Sequence, residues 1–263
     1  MKIFRMQLLI ALALVAVSGL SAQSSLKGMS LNGATGLYSI PTGRIGWERS
    51  SDLGLDLGYH AIIRDNANHI PKIGLSLFKW VELTGAVDVQ PGDHQNDLIA
   101  GVKIQFPLTS TAIALGGNFQ GINTGNPNPW ERYSAGQIYV AVTYAGQFFT
   151  MPAETTVVVG KTFIEGSRDS NIDFGMGFDL ILLPKVFQNY IHWITDFANF
   201  TYSVDPFGAG SQHRGTLNTG FRIDLSEIPA LNKFKFVVDI FLADAFDEDR
   251  AFSVGLVFGI PIL

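Results

Sequence analysis

The chain of 263 residues contains no cysteine, so neither a disulfide framework nor a lipidated N-terminal cysteine is available to it. Charged residues are also scarce, at 16% of the sequence, and the formal net charge is −5. Nucleic-acid-binding proteins carry basic patches, so this balance argues against a nucleic-acid partner. Beyond residue 22, no stretch approaches the roughly twenty consecutive apolar residues that a transmembrane helix needs.

The first residues have the pattern of a secretory signal peptide covering residues 1–22. Lys2 and Arg5 supply a positive start, and the apolar stretch Met6 to Val17 is too short to span a bilayer. Small residues predict cleavage after Ala22, and an uncleaved anchor helix is the alternative. The predicted organisation is a signal peptide at 1–22, an N-terminal periplasmic segment at 23–50 and a barrel at 51–263.

What the chain has in abundance is apolar residues, at 47%, together with 28 glycines. A soluble protein this apolar needs a thick core of helices or packed layers, yet no helical period of 3.6 follows residue 22. Instead, apolar residues alternate with small or polar ones. In the segment Ile172 to Leu182, for example, Phe174 and Met176 alternate with Gly175 and Gly177. Period-two alternation predicts β-strands.

The alternating segments predict about twelve strands, with ten or fourteen as the alternatives. They run from Asp52 to Ile63, Ile73 to Trp80, Val81 to Gln90, Leu98 to Phe106, Ala112 to Ile122, Gln137 to Gln147, Glu154 to Ile164, Ile172 to Leu182, Tyr190 to Val204, Leu217 to Leu225, Phe234 to Leu242 and Phe252 to Leu263. Glu154 to Ile164 is apolar on both faces, and Tyr190 to Val204 is out of phase in its middle.

These strands indicate an all-β fold, a transmembrane antiparallel up-and-down β-barrel in the bacterial outer membrane. Its apolar face contacts outer-membrane lipid, while the other face, mainly Gly, Ser, Thr, Ala and Asn, lines a narrow lumen. The alternative is a soluble sandwich or lipocalin-like barrel, in which the same alternation points the opposite way. A soluble barrel would carry many Lys and Glu residues outside, and this sequence has few.

The last strand resembles the signal that the barrel-assembly machinery reads, which implies that machinery as a partner. That signal combines a polar residue, a glycine two positions later and apolar residues at alternate positions. The matching residues are Ser253, Gly255, Phe258 and Ile260. The chain departs from the pattern by ending in Pro261-Ile-Leu263 rather than in an aromatic residue.

The stretch from Gly33 to Arg44 resembles the opening motif of YjbH-type outer-membrane proteins, which are linked to exopolysaccharide export. That motif reads Gly-Leu-x-x-(Met/Ile)-Pro-Thr-x-Arg. The matching residues are Gly36, Leu37, Ile40, Pro41, Thr42 and Arg44. The resemblance implies an exported barrel more than a polysaccharide role. The alternative is that Pro41 and the glycines form a turn before the first strand.

Charged residues at inward positions are the candidate functional set. They are Asp56, Glu82, Asp88, Lys103, Asp173, Asp179, Arg222, Asp224, Lys235 and Asp239. Buried charges require partners, so ion pairs are expected among them. They either line a water-filled pore that mildly prefers cations or form a salt-bridged plug that blocks flow.

The preferred function is a pore or export conduit for small solutes or saccharides. A non-conducting structural or adhesive barrel is the alternative, in which the outer loop Asn123 to Ala135 binds partners through Trp130 and Tyr133. A hydrolase at the outer rim is a third and weakest possibility, because the loop histidines lie in no catalytic motif. We therefore expect no catalytic residue, no metal site and no cofactor.

Overall fold

The computed structural model describes residues 27–48, 51–64, 67–89, 96–108, 110–123, 132–165, 172–199, 215–246 and 250–263. Its strands are β1 (Leu53–Ile63), β2 (Ala67–Leu77), β3 (Val81–Val89), β4 (Asn96–Pro107), β5 (Thr111–Asn123), β6 (Arg132–Phe148), β7 (Met151–Ile164), β8 (Ile172–Ile181), β9 (Ile191–Ala198), β10 (Thr216–Asp224), β11 (Lys235–Ala243) and β12 (Ala251–Pro261). A helical turn, α1 (Pro184–Phe187), precedes β9, and a 3-10 turn (Leu225–Glu227) follows β10.

The strands form one closed antiparallel barrel in which each strand pairs with its neighbours in sequence. β12 closes the ring by pairing with β1, with Leu57 opposite Phe258 near the middle of the seam. Closure removes the open edges that a sheet would otherwise expose. The sequence prediction of a twelve-stranded antiparallel barrel is confirmed.

The two faces of the barrel have the chemistry that the alternation predicted. Outward side chains are apolar and exposed, as at Val140 (43%) and Ile138 (58%) in β6. The residues between them, such as Gln137 and Tyr139, point inward and are buried. An exposed belt of this kind is the lipid-contacting surface of a transmembrane barrel. Among the described residues, no helix is long and apolar enough to cross a membrane.

Several strand boundaries differ from the prediction. β6 begins at Arg132, five residues before the predicted Gln137, so both ends of the predicted loop Asn123 to Ala135 belong to strands. β2 begins at Ala67, six residues before the predicted Ile73, and it includes Pro71 opposite Tyr59. A proline within a strand pattern normally signals an edge or a break, so the sequence hid the first half of β2. The predicted link from Ala145 to Ala153 is mostly strand, because β6 and β7 meet at a tight turn where Phe149 has φ 55°.

Residues 27–48, which we call the plug, fold inside the barrel. We expected residues 23–50 to lie in the periplasm ahead of the barrel, and the described part of that segment lies in the lumen instead. The plug contains no strand but closes several backbone hydrogen bonds on itself, such as Leu31 N–H to Tyr38 O at 2.9 Å. Met29, Leu31, Leu37 and Ile40 are almost completely buried. Apolar side chains are stabilised by burial away from water, and the lumen provides that environment.

Both ends of the plug lie at one mouth of the barrel, which we call the terminus end. It carries the start of β1, the end of β12 and the short turns between strands. Lys27 contacts Asp224 at the end of β10, and Glu48 contacts Gln105 near the end of β4. The opposite mouth is called the loop end. The predicted signal peptide, residues 1–22, lies outside the described residues.

Candidate functional site: the lumen and its plug

All ten predicted inward charges lie on the inner face and are buried. They are Asp56, Glu82, Asp88, Lys103, Asp173, Asp179, Arg222, Asp224, Lys235 and Asp239. Their placement follows from the strand phase, because every second residue of a strand shares one face.

Ion pairs of Lys or Arg with Asp or Glu join strands of the wall to one another. Arg222 and Asp239 lie directly opposite on β10 and β11, with Nε and Oδ1 2.8 Å apart. Lys103 and Glu82 are opposite on β4 and β3, at 2.7 Å. The third pair, Lys235 and Asp56, reaches across β12 at 2.7 Å. Paired and hydrogen-bonded charges are tolerated in a buried site, whereas single ones are not.

The third wall pair passes over a glycine. Gly259 of β12 lies between Asp56 on one side and Lys235 on the other. A Cβ on Gly259 would collide with the Asp56 carboxylate. The glycine therefore allows two strands that are not neighbours to exchange an ion pair.

Carboxylates of the wall hold backbone N–H groups of the plug. Asp196 of β9 accepts hydrogen bonds from the N–H groups of Tyr38 (2.9 Å) and Ser39 (2.8 Å), and from the Ser39 hydroxyl (2.9 Å). Glu82 accepts from the Thr35 N–H at 3.1 Å and from its hydroxyl. Hydrogen bonds to a charged acceptor are stronger than neutral ones. These contacts fix the conformation of the turn at residues 36–41.

Cations of the wall bind carbonyl oxygens of the plug. Arg222 donates from Nη1 to the Gly36 carbonyl at 3.0 Å, and Lys103 donates to the Thr35 carbonyl at 3.0 Å. Lys72, which is not among the predicted inward charges, donates to the Ser30 carbonyl at 2.8 Å. The wall thus provides hydrogen-bond partners for both the N–H groups and the carbonyl groups that an irregular buried segment leaves unpaired.

The plug contributes its own charges at the terminus end. Lys27 pairs with Asp224 (2.8 Å) and Glu227 (3.1 Å). Burial alone would lower the pKa of Lys27, but the two carboxylates outweigh it and raise that pKa above its ordinary value. Arg44 pairs with Glu154 of β7 at 3.0 Å and with Glu48 at 2.9 Å.

The middle of the plug forms an apolar core with the wall. Leu31, Leu37, Tyr38 and Ile40 share one buried cluster with inward residues of nine strands. The Tyr38 ring packs 4.7 Å from that of Phe241, and burial raises the pKa of its hydroxyl. Burying each such side chain contributes about 1.5–3 kcal/mol, so the docked plug is the stable state.

Glycines of the wall leave room for the side chains of the plug. A Cβ on Gly175 would come within 2.6 Å of Ile40 Cγ2, and one on Gly177 within 2.6 Å of Leu37 Cδ1. Gly54 lies against the Trp47 ring in the same way. Packing in protein interiors tolerates no such overlap. The glycine-rich inner face is therefore complementary to this segment.

The six residues of the predicted N-terminal motif all lie in the plug and are buried. They are Gly36, Leu37, Ile40, Pro41, Thr42 and Arg44. Gly36 and Pro41 form a bridge across a tight turn, and a Cβ on Gly36 would collide with the Ile40 carbonyl. The glycine is needed for this close approach.

The four residues of the predicted assembly signal lie on β12, two on each face. Ser253 and Gly255 point inward, while Phe258 and Ile260 point outward. Gly255 makes space for the ring of His60, whose Nε2 lies 3.4 Å from Asp239.

Asp179 and Asp173 have hydrogen-bond partners on the wall. Asp179 contacts Nδ1 of His192 at 2.7 Å. Asp173 accepts hydrogen bonds from Thr162 and Gln137 near the loop end. Asp88 lies opposite Asp97 in the register of β3 and β4.

The predicted loop contacts are only partly described. Trp130 lies outside the described residues, and the backbone of Tyr133 lies in β6, paired with Ile122 of β5, rather than in the predicted loop. Within the described ranges, no group of three His, Asp or Glu side chains is arranged to hold a metal ion.

Comparison with known proteins gives a fold relationship. No protein-family model matches the chain, and no curated protein matches it. The KdgM porin, alone and in complex with disordered oligogalacturonate, is similar at a TM-score of 0.52 and 7% identity, covering 79% of this chain and 99% of the porin. Omp33 of Acinetobacter baumannii gives 0.46 and 11%, covering 81% and 98%. At 7% identity, the likeness to the KdgM porin shows a shared fold and nothing further.

Proposed function

We propose that the chain is an outer-membrane pore for small solutes or saccharides, closed in this state by its own plug. The observation that carries the proposal is the closed barrel with an apolar exterior and a charged interior, in a fold shared with the KdgM porin. That porin was solved with an oligosaccharide, which supports a solute of the same size class here. We propose no catalytic step for the barrel.

The charges of the lumen favour cationic or neutral solutes over acidic saccharides. Carboxylates outnumber cations on the inner wall, and two of the cations that compensate them, Lys27 and Arg44, belong to the plug. When the plug leaves, Asp224 and Glu154 lose these partners. A conduit lined by excess negative charge repels anions.

The alternative is a barrel that never conducts and binds partners through its outer loops. The buried apolar core between plug and wall favours it, because this core fills the lumen as a protein interior does. In that case, the connection between β5 and β6, which includes Trp130, would be the binding surface together with Tyr133 at the start of β6.

The resemblance of Gly36 to Arg44 to the YjbH-type motif supports a finer version of the proposal, in which the conduit serves saccharide export. The assembly-signal pattern in β12 supports delivery to the membrane by the barrel-assembly machinery. Both are proposals from sequence likeness.

The experiment is conductance in a planar lipid bilayer. Wild type and the variant Leu37→Ala/Ile40→Ala, whose plug anchors are truncated, are inserted at equal amounts. The lipid-facing variant Leu115→Ala/Val140→Ala is the matched control, because it removes similar apolar volume outside the lumen. We expect more frequent channel openings in the plug variant, with cations as the preferred carriers. Absence of conductance in every sample would favour the non-conducting barrel.

A further inference from the structure

We propose that the plug is a releasable gate that withdraws as one unit through the terminus end, a proposal that rests on the proposed pore function. The resting state is closed, because the apolar anchors Leu31, Leu37 and Ile40 hold the plug in the lumen. Three features of the structure favour release as a unit over a permanent core.

The first feature is the path of the segment. The contacts of Lys27 with Glu227 and of Trp47 with Asp56 both lie at the terminus end. The middle of the plug, at Leu31 and Leu37, reaches into the cluster of Ile62 and Ile99 toward the loop end. The segment thus enters and leaves by one mouth, so it can withdraw without threading an end through the barrel.

The second feature is the pattern of backbone hydrogen bonds. Within the described residues, the backbone bonds of residues 28–42 close on the segment itself, as between Thr42 N–H and Thr35 O (3.0 Å) and between Leu37 N–H and Ile40 O (3.0 Å). The wall holds the plug through side chains such as Asp196 and Arg222. Release therefore breaks no strand ladder and leaves the hydrogen bonds of the barrel intact.

The third feature is the charge pairing of the wall. Arg222 with Asp239 and Lys103 with Glu82 are pairs between strands, and neither depends on the plug. Asp196 likewise keeps a hydrogen bond from Asn218 at 2.7 Å. Buried charges left without partners destabilise a protein strongly. These wall groups keep their partners when the segment leaves, which favours a barrel that stays folded, whereas Asp224 and Glu154 at the terminus end lose Lys27 and Arg44.

The test is a reversible disulfide between plug and wall. The natural chain has no cysteine, so Ile40→Cys/Gly175→Cys introduces a single pair. A Cβ on Gly175 lies 3.6 Å from the Cβ of Ile40, within the range of a disulfide. The substitution at residue 40 also removes the methyl group that a side chain at 175 would strike. The two single-cysteine variants are the controls.

Conductance is compared in the oxidised and reduced states of the double variant. We expect the oxidised protein to lose its openings and reductant to restore them, with no effect of reductant on either single variant. Equal conductance in both states would overturn the gate while leaving the pore intact. Absence of conductance in both states would contradict the pore proposal itself.

A second readout tests release without conduction. The folded Ile40→Cys variant is treated with a membrane-impermeant thiol reagent. Gel migration of the unheated sample verifies that the barrel remains folded. Progressive labelling of the folded form supports withdrawal of the plug. Labelling that begins only when the barrel unfolds would show a permanent core and refute the gate.

Discussion

Asp196 and Tyr38 are 158 positions apart in the chain, yet the carboxylate of the first accepts the backbone N–H of the second at 2.9 Å. This contact ties the turn of the plug to β9. Replacement of Asp196 by Asn removes the charge that strengthens it, and we expect the docked plug to lose about 1–3 kcal/mol. The measurement is the labelling rate of Ile40→Cys, which should rise. Asp173→Asn, whose contacts stay within the wall, is the control and should leave that rate unchanged.

Filling the space at Gly54 should displace Trp47. A valine at that position overlaps the indole, so the ring must leave its site and lose the hydrogen bond to Asp56. We expect a red shift in the Trp47 part of the fluorescence, obtained by subtracting the spectrum of a Trp47→Phe protein. Gly136→Val is the matched control, because nothing lies within 4 Å of a Cβ there. An unchanged spectrum in Gly54→Val would contradict the packing.

Charged substitutions on the outward face should destabilise the barrel most near the middle of the membrane. Val140 lies near the middle of β6, so Val140→Arg places a cation in the hydrocarbon and should cost about 2–4 kcal/mol. Phe148→Arg, at the end of the same strand, should cost about 0–1 kcal/mol. Folding into lipid vesicles under a urea series measures both. Equal costs would be inconsistent with a transmembrane barrel.

Neutralising inward carboxylates should weaken cation preference. The triple variant Asp56→Asn/Glu82→Gln/Asp179→Asn removes three negative charges from the lumen. We expect its reversal potential in a salt gradient to move toward that of an unselective pore. Lys161→Gln is the control, since Lys161 lies over the outward ring of Phe163. A reversal potential equal to that of wild type would show that these carboxylates do not face the ion path.

The plug should loosen at high pH. Because the pKa of Lys27 is raised in the docked state, its ion pairs contribute fully below the ordinary value of 10.5 and are lost as pH rises through the raised value. Opening frequency should therefore increase above pH 10.5. Lys27→Met removes the titrating group, so the pH step should disappear in that variant. A step of equal size in both proteins would assign it to another group.

The barrel was predictable from sequence because its pattern is local. Alternation at Ile172 to Leu182 or at Leu217 to Leu225 predicts both that the segment is a strand and which side chains point inward. The inward charges were predicted from that alternation. Two segments gave weak patterns for one physical reason. Val158 in β7 and Ile194 in β9 are inward and apolar because they pack against the plug, which erases the contrast between faces. The same weak alternation in β9 kept Asp196 out of the predicted inward charges.

The plug was not predictable in the same way. Residues 27–48 have no strand or helix period, and their partners lie far along the chain, as Arg222 does from Gly36. The motif from Gly36 to Arg44 was visible, but its place in the lumen depends on wall glycines such as Gly175, which look like ordinary small strand residues. Complementarity between distant surfaces leaves no periodic signal in a sequence.

The seam between β1 and β12 sets an order on how the molecule is built. The ring cannot close until β12 has been made, whereas the plug precedes all twelve strands in the chain. Before the ring closes there is no complete lumen for the plug to occupy. Its apolar side chains then lack the partners that they have in the finished barrel. The strands and the plug of one chain therefore both need protection from aggregation over that interval.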